Sequence, residues 1–340
     1  MKKILIFSII VLLVGAMMTS AVFFSVFTNG DVASETVAAK GASKTFLLAG
    51  IDNAGENTDV LMLVSVDKGS GRLFFLQIPR DTYLRTEEKE GKINQLYRFY
   101  LGKYGVNHAA EMLTSCFSHA FGIPIDGHAV FHLDAVEEAI DILGGIRVSV
   151  PADISYFDSE TGKTAHIKAG ERRLEGKEAC EYLRHRASYT EGDLGRLDAQ
   201  MRFLSATLSA LTEMRKPLQY LRLYQKILPK VLTNLSEKDI MDFATAFIKS
   251  RGNASVRIMR MPGEACRGNS GSWYYIVNRS AAERMLSDHF TAEEGYRFDE
   301  DGRFVRYDRE GFVNIYHAPS FETKIYSLAE ASKIEILNKS

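Results

Sequence analysis

Apolar positions along this chain fall into three patterns, and each predicts a different element. The first is nearly unbroken: residues 4–28 are interrupted by polar side chains only at Ser8, Thr19, Ser20, Ser25 and Thr28. As a helix this run would reach ~37 Å, enough for the ~30 Å hydrocarbon layer of a membrane with some tilt. Lys2 and Lys3 precede it, and Asp31 and Glu35 follow it, which orients the bulk of the chain outside the cytoplasm. Thr19-Ser20-Ala21 makes a poor cleavage site, and Val22-Phe23-Phe24 resumes the apolar run after it. Residues 1–28 therefore read as a transmembrane signal anchor rather than a removable leader. Residues 29–43 are small and polar, a stalk, and the folded part starts near Lys44.

The second pattern is the short bulky run. Residues 45–50 (TFLLAG), 60–66 (VLMLVSV) and 72–78 (RLFFLQI) predict strands, the last two joined as a hairpin by Lys68-Gly69-Ser70-Gly71. The third has helical spacing. It predicts helices over 94–104 and 107–121, the latter with Ala110, Leu113, Phe117 and Phe121 on one buried face. A strand over 125–131, a helix over 133–143 closed by Gly144-Gly145, and a strand over 146–150 stopped by Pro151 come next. This alternation predicts an α/β domain with helices against a mixed sheet. Helices dominate 175–249, before strands over 255–261 and 273–277 and a helix over 280–290. Residues 291–340, charged, aromatic and rich in turns, read as a small β-rich C-terminal appendage to which the pattern assigns no role.

Composition narrows the function. With 42 Lys+Arg against 43 Asp+Glu and a net charge of −1 over 340 residues, the chain lacks the basic field that nucleic-acid binding requires. Cys116, Cys180 and Cys266 have no metal or redox spacing. They read as buried small hydrophobes in preference to one disulfide and a spare thiol. Phosphate-loop, zinc-protease and hydrolase-elbow motifs are absent. Ser65-Val66-Asp67-Lys68 matches S-x-x-K at a strand end, but the partner motifs of that chemistry are missing.

Three polar clusters carry candidate chemistry. Asp52 closes the first strand and Asp59 opens the second. They either converge on one hard cation such as Mg²⁺, which needs one or two carboxylates beside phosphate oxygens, or accept backbone N–H bonds in turns. Ile78-Pro79-Arg80-Asp81-Thr82 delivers an Arg and an Asp at the carboxyl end of an apolar strand, where α/β sheets bind ligands. The third cluster runs through Arg184-His185-Arg186 to Asp193, Arg196 and Gln200, the last three one polar row on a helix. Leu197, Met201, Leu204, Leu208 and Leu211 supply the adjoining apolar stripe. Four arginines, Arg80, Arg184, Arg186 and Arg196, suit a phosphate diester better than a neutral substrate, because guanidinium forks bind phosphate bidentately and stay charged.

Taken in order, GID, TDVLMLVSVD, IPRDTY, KIN, DILGGIRVSVPADI, LEGKEACEYLRHR and EGDLGR followed by Gln200 resemble the LytR-CpsA-Psr family of cell-envelope phosphotransferases. The resemblance implies a three-layer α/β/α fold with a mixed central sheet over residues 44–290, and a hydrophobic pocket for a polyprenyl chain. It implies a single-pass enzyme of the cell membrane, its catalytic domain extracytoplasmic. Such an enzyme moves a glycopolymer from a polyprenyl-pyrophosphate carrier to a peptidoglycan acceptor. Carried over by position, the metal-binding aspartates, for Mg²⁺ or Mn²⁺, are Asp52 and Asp59. The pyrophosphate-binding residues are Arg80, Arg184, Arg186, Arg196 and Gln200, with Arg80, Asp193 and Arg196 catalytic and Asp193 acting as base or orienting an arginine. Two positions depart from the family pattern: Gln95 stands where KINHAY has His, and Ala199 where GRxxRQ has Arg. A hydrolase that uses water on the same cluster, and a non-catalytic polyprenyl-lipid-binding or regulatory envelope protein, are the competing readings.

Overall fold

The computed structural model describes residues 43–51, 57–67, 71–158, 161–213, 217–249, 256–268, 270–290, 296–299, 303–304, 313–314, 324–334, 336 and 338. The predicted anchor, the predicted stalk up to residue 42, Asp52 and residues 68–70 of the predicted turn lie outside them, while Ser43, the last stalk residue, opens the first strand. No helix among the described residues is long and apolar enough to cross a membrane.

β1 (Ser43–Ile51), β2 (Thr58–Asp67) and β3 (Arg72–Ile78) form an antiparallel meander. The hairpin of β4 (Tyr83–Arg85) and β5 (Glu90–Lys92) follows, then α1 (Leu96–Tyr104) and α2 (Val106–Phe121). β6 (Gly127–His132) returns parallel to β1 and leads into α3 (Leu133–Leu143). Gly144 ends that helix in the left-handed region, at φ 77°, where a side chain would be strained. β7 (Ile146–Val150) pairs with β10 (Gly170–Leu174), and between them lie paired β8 (Ile154–Asp158) and β9 (Lys163–Ile167). The helical stretch comprises α4 (Gly176–Arg184), α5 (Asp193–Glu213) and α6 (Pro217–Ile227), then short β11 (Val231–Thr233), then α7 (Glu237–Lys249). β12 (Val256–Arg260), β13 (Gly263–Arg267), β14 (Trp273–Val277) and α8 (Arg279–His289) follow. β15 (Val313–Asn314), β16 (Ile325–Tyr326) and α9 (Leu328–Ala331) complete the described elements.

Seven strands make one mixed sheet in the order β11-β6-β1-β2-β3-β12-β16. Its central strands read as continuous apolar runs because both faces are covered. Phe46 and Leu48 of β1 enter one core, with α3, α4, α5, α6, α7 and α9. Leu47, Ala49 and Ile51 enter the other, with α1, α2 and α8. The helix predicted over 107–121 buries its expected face: Ala110, Leu113, Phe117 and Phe121 are at most 1% exposed. The three cysteines are buried and unpaired with one another.

The described residues beyond 290 are woven into both layers. Phe298 and Phe304 stack on each other and meet Phe121 edge-on. Leu328, Ala331, Ile334 and Ile336 join the opposite core, and β16 adds an antiparallel edge strand to β12. The break expected at 290 is thus not a break in the packing.

β1 and β6 run parallel, as do β3 and β12. Their carboxyl ends therefore emerge on one edge, where antiparallel β2 begins. Sequence-distant groups meet on that edge.

Candidate active site

Asp59 owes its direction to a bulge. Gly50 pairs with Val60 and Ile51 with Thr58, so Asp59 is the extra residue of the β1–β2 ladder, and bulges re-aim side chains. It is 3% exposed. Arg80 emerges from a tight turn after β3, in which both the backbone N–H and the hydroxyl of Thr82 donate to the Pro79 carbonyl, at 3.0 and 2.5 Å. Asn94 buttresses both strands: its N–H donates to the Arg80 carbonyl at 3.2 Å, and its carbonyl accepts from the Thr58 hydroxyl at 3.3 Å. This gives the KIN motif a structural task.

Across the edge lies the amino end of α5. The loop before it is held by His185 Nε2 and the Ser188 hydroxyl at 2.8 Å, by the Gly192 N–H on the Tyr189 carbonyl, and by Gly195 lying flat against Tyr189. Arg80 joins the halves: Nη1 lies 3.0 Å from Asp59 Oδ1 and Nη2 3.4 Å from Asp193 Oδ1. Asp193 also receives Arg196 Nη2 at 2.8 Å and faces Arg186 Nη1 at 3.8 Å. Three guanidinium groups thus surround two carboxylates and leave the cluster cationic. Arg186 stands at the mouth, whereas Arg196 is 0% exposed.

Desolvation of a buried ion costs several kcal/mol, and Arg196 recovers only part of it. Its Nε and Nη1 have no hydrogen-bond partner. Burial pushes its pKa down to about 10, against the pull of Asp193, so it stays charged at neutral pH. Buried donors without partners call for an explanation, and an anion supplies one.

Beneath lies a second polar layer. Gln77 Nε2 donates to Gln200 Oε1 at 2.9 Å, each residue 1% exposed, and Gln200 Nε2 has no partner. Arg260, in register beside Gln77, pairs with Asp198 at 3.0 Å. Burial pushes the Asp198 carboxyl above its usual range, opposed by Arg260 and Lys324.

Of the predicted residues, Asp59, Arg80, Arg186, Asp193 and Arg196 come together in direct contact, and Gln200 sits one layer below. Arg184 pairs instead with Glu181 on its own helix, and Asp52 lies outside the described residues. Gln77, Asp198 and Arg260 were missed. For Gln77 the signal was present, a single polar residue before the end of an otherwise apolar strand. Ala199, the departure from GRxxRQ, is 0% exposed, packed in a core, while Gln95 is on the surface.

No three His, Cys, Asp or Glu side chains converge among the described residues. The donor set still suits a hard cation, since Mg²⁺ needs only one or two carboxylates when phosphate completes its shell, and Asp59 is a carboxylate at the phosphate-suited arginines. A separate cleft of about 640 Å³ lies between β7, β10 and α5. Its lining mixes apolar Leu143, Val148, Ala206 and Ala210 with charged Arg147, Glu171, Arg173 and Arg202.

A large mixed sheet that gathers arginines and aspartates at the carboxyl ends of its strands is the arrangement of an anion-binding α/β protein. The chain belongs to the LytR_cpsA_psr family, which it matches over residues 23–290. It is 26% identical over 246 residues to the polyisoprenyl-teichoic acid–peptidoglycan teichoic acid transferase TagU of Oceanobacillus iheyensis, covering 71% of this chain and 73% of that protein. To TagV of Bacillus subtilis, a transferase of the same description, it is 28% identical over 217 residues, 61% of this chain and 54% of the relative. The crystal structure of B. subtilis TagV superposes with a TM-score of 0.59 at 25% identity, covering 74% of this chain and 98% of that one. The mixed α/β fold expected from the motifs is therefore the fold of the family.

Proposed function

We propose that this protein transfers a glycopolymer from a polyprenyl-pyrophosphate carrier to peptidoglycan and leaves a phosphodiester link. The observation that carries the reading is Arg196, wholly buried, with two donor nitrogens unpartnered, beside Arg80 and Arg186. Phosphoryl transfer is catalysed mainly by positioning and by neutralising oxygen charge, and this cluster offers both. The relatives' names describe transfer of teichoic acid between a polyisoprenyl-linked form and peptidoglycan, which supports the reading.

In the proposed reaction a sugar hydroxyl of the acceptor attacks the glycopolymer-bound phosphorus. The new P–O bond forms as the bond to the polyprenyl phosphate breaks, and the hydroxyl proton leaves on the departing polyprenyl phosphate. Arg80 and Arg196 hold the transferred phosphoryl oxygens, and Arg186 at the mouth takes the departing phosphate. With both oxygens facing guanidinium groups, Asp193 orients the arginines. Acting as proton acceptor would require one of them to move. Arg184 joins only by leaving Glu181. Mg²⁺ or Mn²⁺, held by Asp59 with Asp52, would supply further positive charge to the phosphate oxygens. Residues 4–28 anchor the protein in the membrane in this reading, with the site outside the cytoplasm.

The test is transfer from a purified lipid-linked pyrophosphate donor to peptidoglycan, with products identified by mass spectrometry. A phosphodiester-linked acceptor is expected, and Arg80→Ala raises the barrier by about 2–4 kcal/mol, as loss of a charge-stabilising donor does. Free glycan phosphate as the sole product would make the protein a hydrolase. Full transfer by Arg80→Ala would remove the role assigned to Arg80.

A further inference from the structure

One face beside the cluster is not used by that reaction. Asp81 Oδ1 lies 3.9 Å from Arg80 Nε and 3.1 Å from Lys92 Nζ. The Lys92 ammonium in turn sits 5.5 Å above the Tyr274 ring. Tyr83 meets Tyr274 edge-on, with centroids 5.2 Å apart at 76°. Both tyrosines are half-buried, and the Tyr83 hydroxyl donates to Glu90. A continuous path of contacts thus leads from the catalytic arginine onto two aromatic rings set among polar side chains.

The path is rigidly mounted. The Tyr275 N–H donates to the Asp81 carbonyl at 2.8 Å, and Thr82 bridges Tyr275, so the β4–β5 hairpin and β14 move with Arg80. Such a surface suits a sugar chain. The C–H groups on a pyranose face carry slight positive charge and seat on the negative face of an aromatic ring, while lysine and carboxylate meet the hydroxyl and amide groups around its rim. The sugar chain is the acceptor rather than the donor for a reason of geometry. Nucleophile and leaving group lie roughly in line on opposite sides of the transferred phosphoryl group. The arginines assigned to the phosphates other than Arg80 sit on α5 and the loop before it. β4, β5 and β14 contribute none of them.

We infer that Tyr274, Tyr83 and Lys92 form a subsite for the amino-sugar strand of the peptidoglycan acceptor, next to Arg80. The inference rests on the transferase reading, and its first test needs no turnover. The full chain is titrated calorimetrically with soluble, uncrosslinked strands of alternating N-acetylglucosamine and N-acetylmuramic acid. Wild type is expected to bind, and Tyr274→Ala to weaken binding about tenfold, one stacking contact's worth. Tyr274→Phe keeps the ring and keeps the affinity, and unchanged melting temperatures show that the variants fold. Tyr83→Ala is an independent second probe and is expected to weaken binding as well.

In the transfer assay, Tyr274→Ala raises KM for the acceptor and leaves KM for the lipid-linked donor unchanged. Absence of strand binding by wild type, equal binding by Tyr274→Ala, or a rise in donor KM alone would each overturn the subsite. Strand binding at Tyr274 by a chain that transfers nothing would overturn the transferase reading and leave the subsite standing.

Discussion

Arg196 and its neighbour Gly195 separate the demands of folding from those of function. A guanidinium with no exposure and two unpartnered donors is a poor investment in stability, since apolar replacements of buried charges are often neutral or stabilising. Asp193 keeps Arg80 and Arg186 as counter-ions if Arg196 is removed. Arg196→Met is therefore expected to unfold in urea within about 1 kcal/mol of wild type, or later, while transfer falls by at least about a hundredfold. Inorganic pyrophosphate should raise the melting temperature of wild type by mass action and leave that of the variant unmoved. At Gly195 two effects compete. Alanine in a helix usually gains about 1 kcal/mol over glycine, but here its Cβ would lie 2.7 Å from Tyr189 Cβ and 3.1 Å from Cγ, near-backbone atoms that cannot swing away. Overpacking costs about 1–3 kcal/mol, so it wins. Gly195→Ala should lower the urea midpoint and reduce transfer, because the first turn of α5 carries Asp193 and Arg196.

α5 is the element on which both site and core depend, and it is tied along its length. Asp198 pairs with Arg260 of β12, and Ser205 donates to the Leu328 carbonyl at 2.6 Å. Arg202 donates to the Ser149 carbonyl at 2.8 Å and to that of Ile334. Asp198 and Arg260 are 4% and 9% exposed, so breaking their pair strands a buried charge. Asp198→Leu alone should cost about 3–5 kcal/mol of unfolding free energy, and Asp198→Leu with Arg260→Met should recover most of it. Denaturant titration of the single and double variants measures this, and equal losses in both would refute it. The element pattern shows why some of this was legible and some not. Long, doubly buried strands and amphipathic α2 announce themselves by apolar period, and 133–143, 146–150 and 273–277 are predicted to the residue. β8, β9 and β10 carry exposed polar side chains on much of their length, so alternation is too weak to see. β11 and β16 are edge pieces of three and two residues, too short for any period. In the site, Asp59, Arg80 and the Asp193–Arg196–Gln200 row were readable because helix spacing or a strand end placed them. That Arg184 turns to Glu181, and that Asp198 finds Arg260, are tertiary pairings over which local pattern has no hold.

At the scale of the whole molecule, burial of histidines sets how the protein answers acid. His128 is 4% exposed in β6, with its Nδ1 unpartnered, alternating with Ala129 and Phe131 so that it faces the α2 side of the sheet. Burial lowers its pKa from the ordinary 6.5, with Glu111 pulling weakly the other way. Burial lowers His185 and His289 too. A group whose folded pKa is depressed binds fewer protons folded than unfolded, so stability rises with pH between its folded pKa and about 6.5. Their contribution is therefore complete above about pH 6.5 and is lost as pH falls through the folded values. Asp239 and Glu90, held low by Lys44 with Ser236 and by Tyr83 with Arg85 against a desolvation that raises them, respond only below the ordinary carboxylate range near pH 4. Asp198 and Glu264, raised by burial, have the opposite slope, so the raw profile mixes both signs and a difference isolates the histidine. His128→Leu removes one titration and one unpartnered nitrogen from an apolar setting. Melting temperatures of wild type and His128→Leu, measured from pH 7.5 to 5, should diverge below about pH 6.5, with wild type falling faster. Parallel curves through that window would mean that His128 is protonated as readily folded as unfolded, and that the core around β6 admits charge.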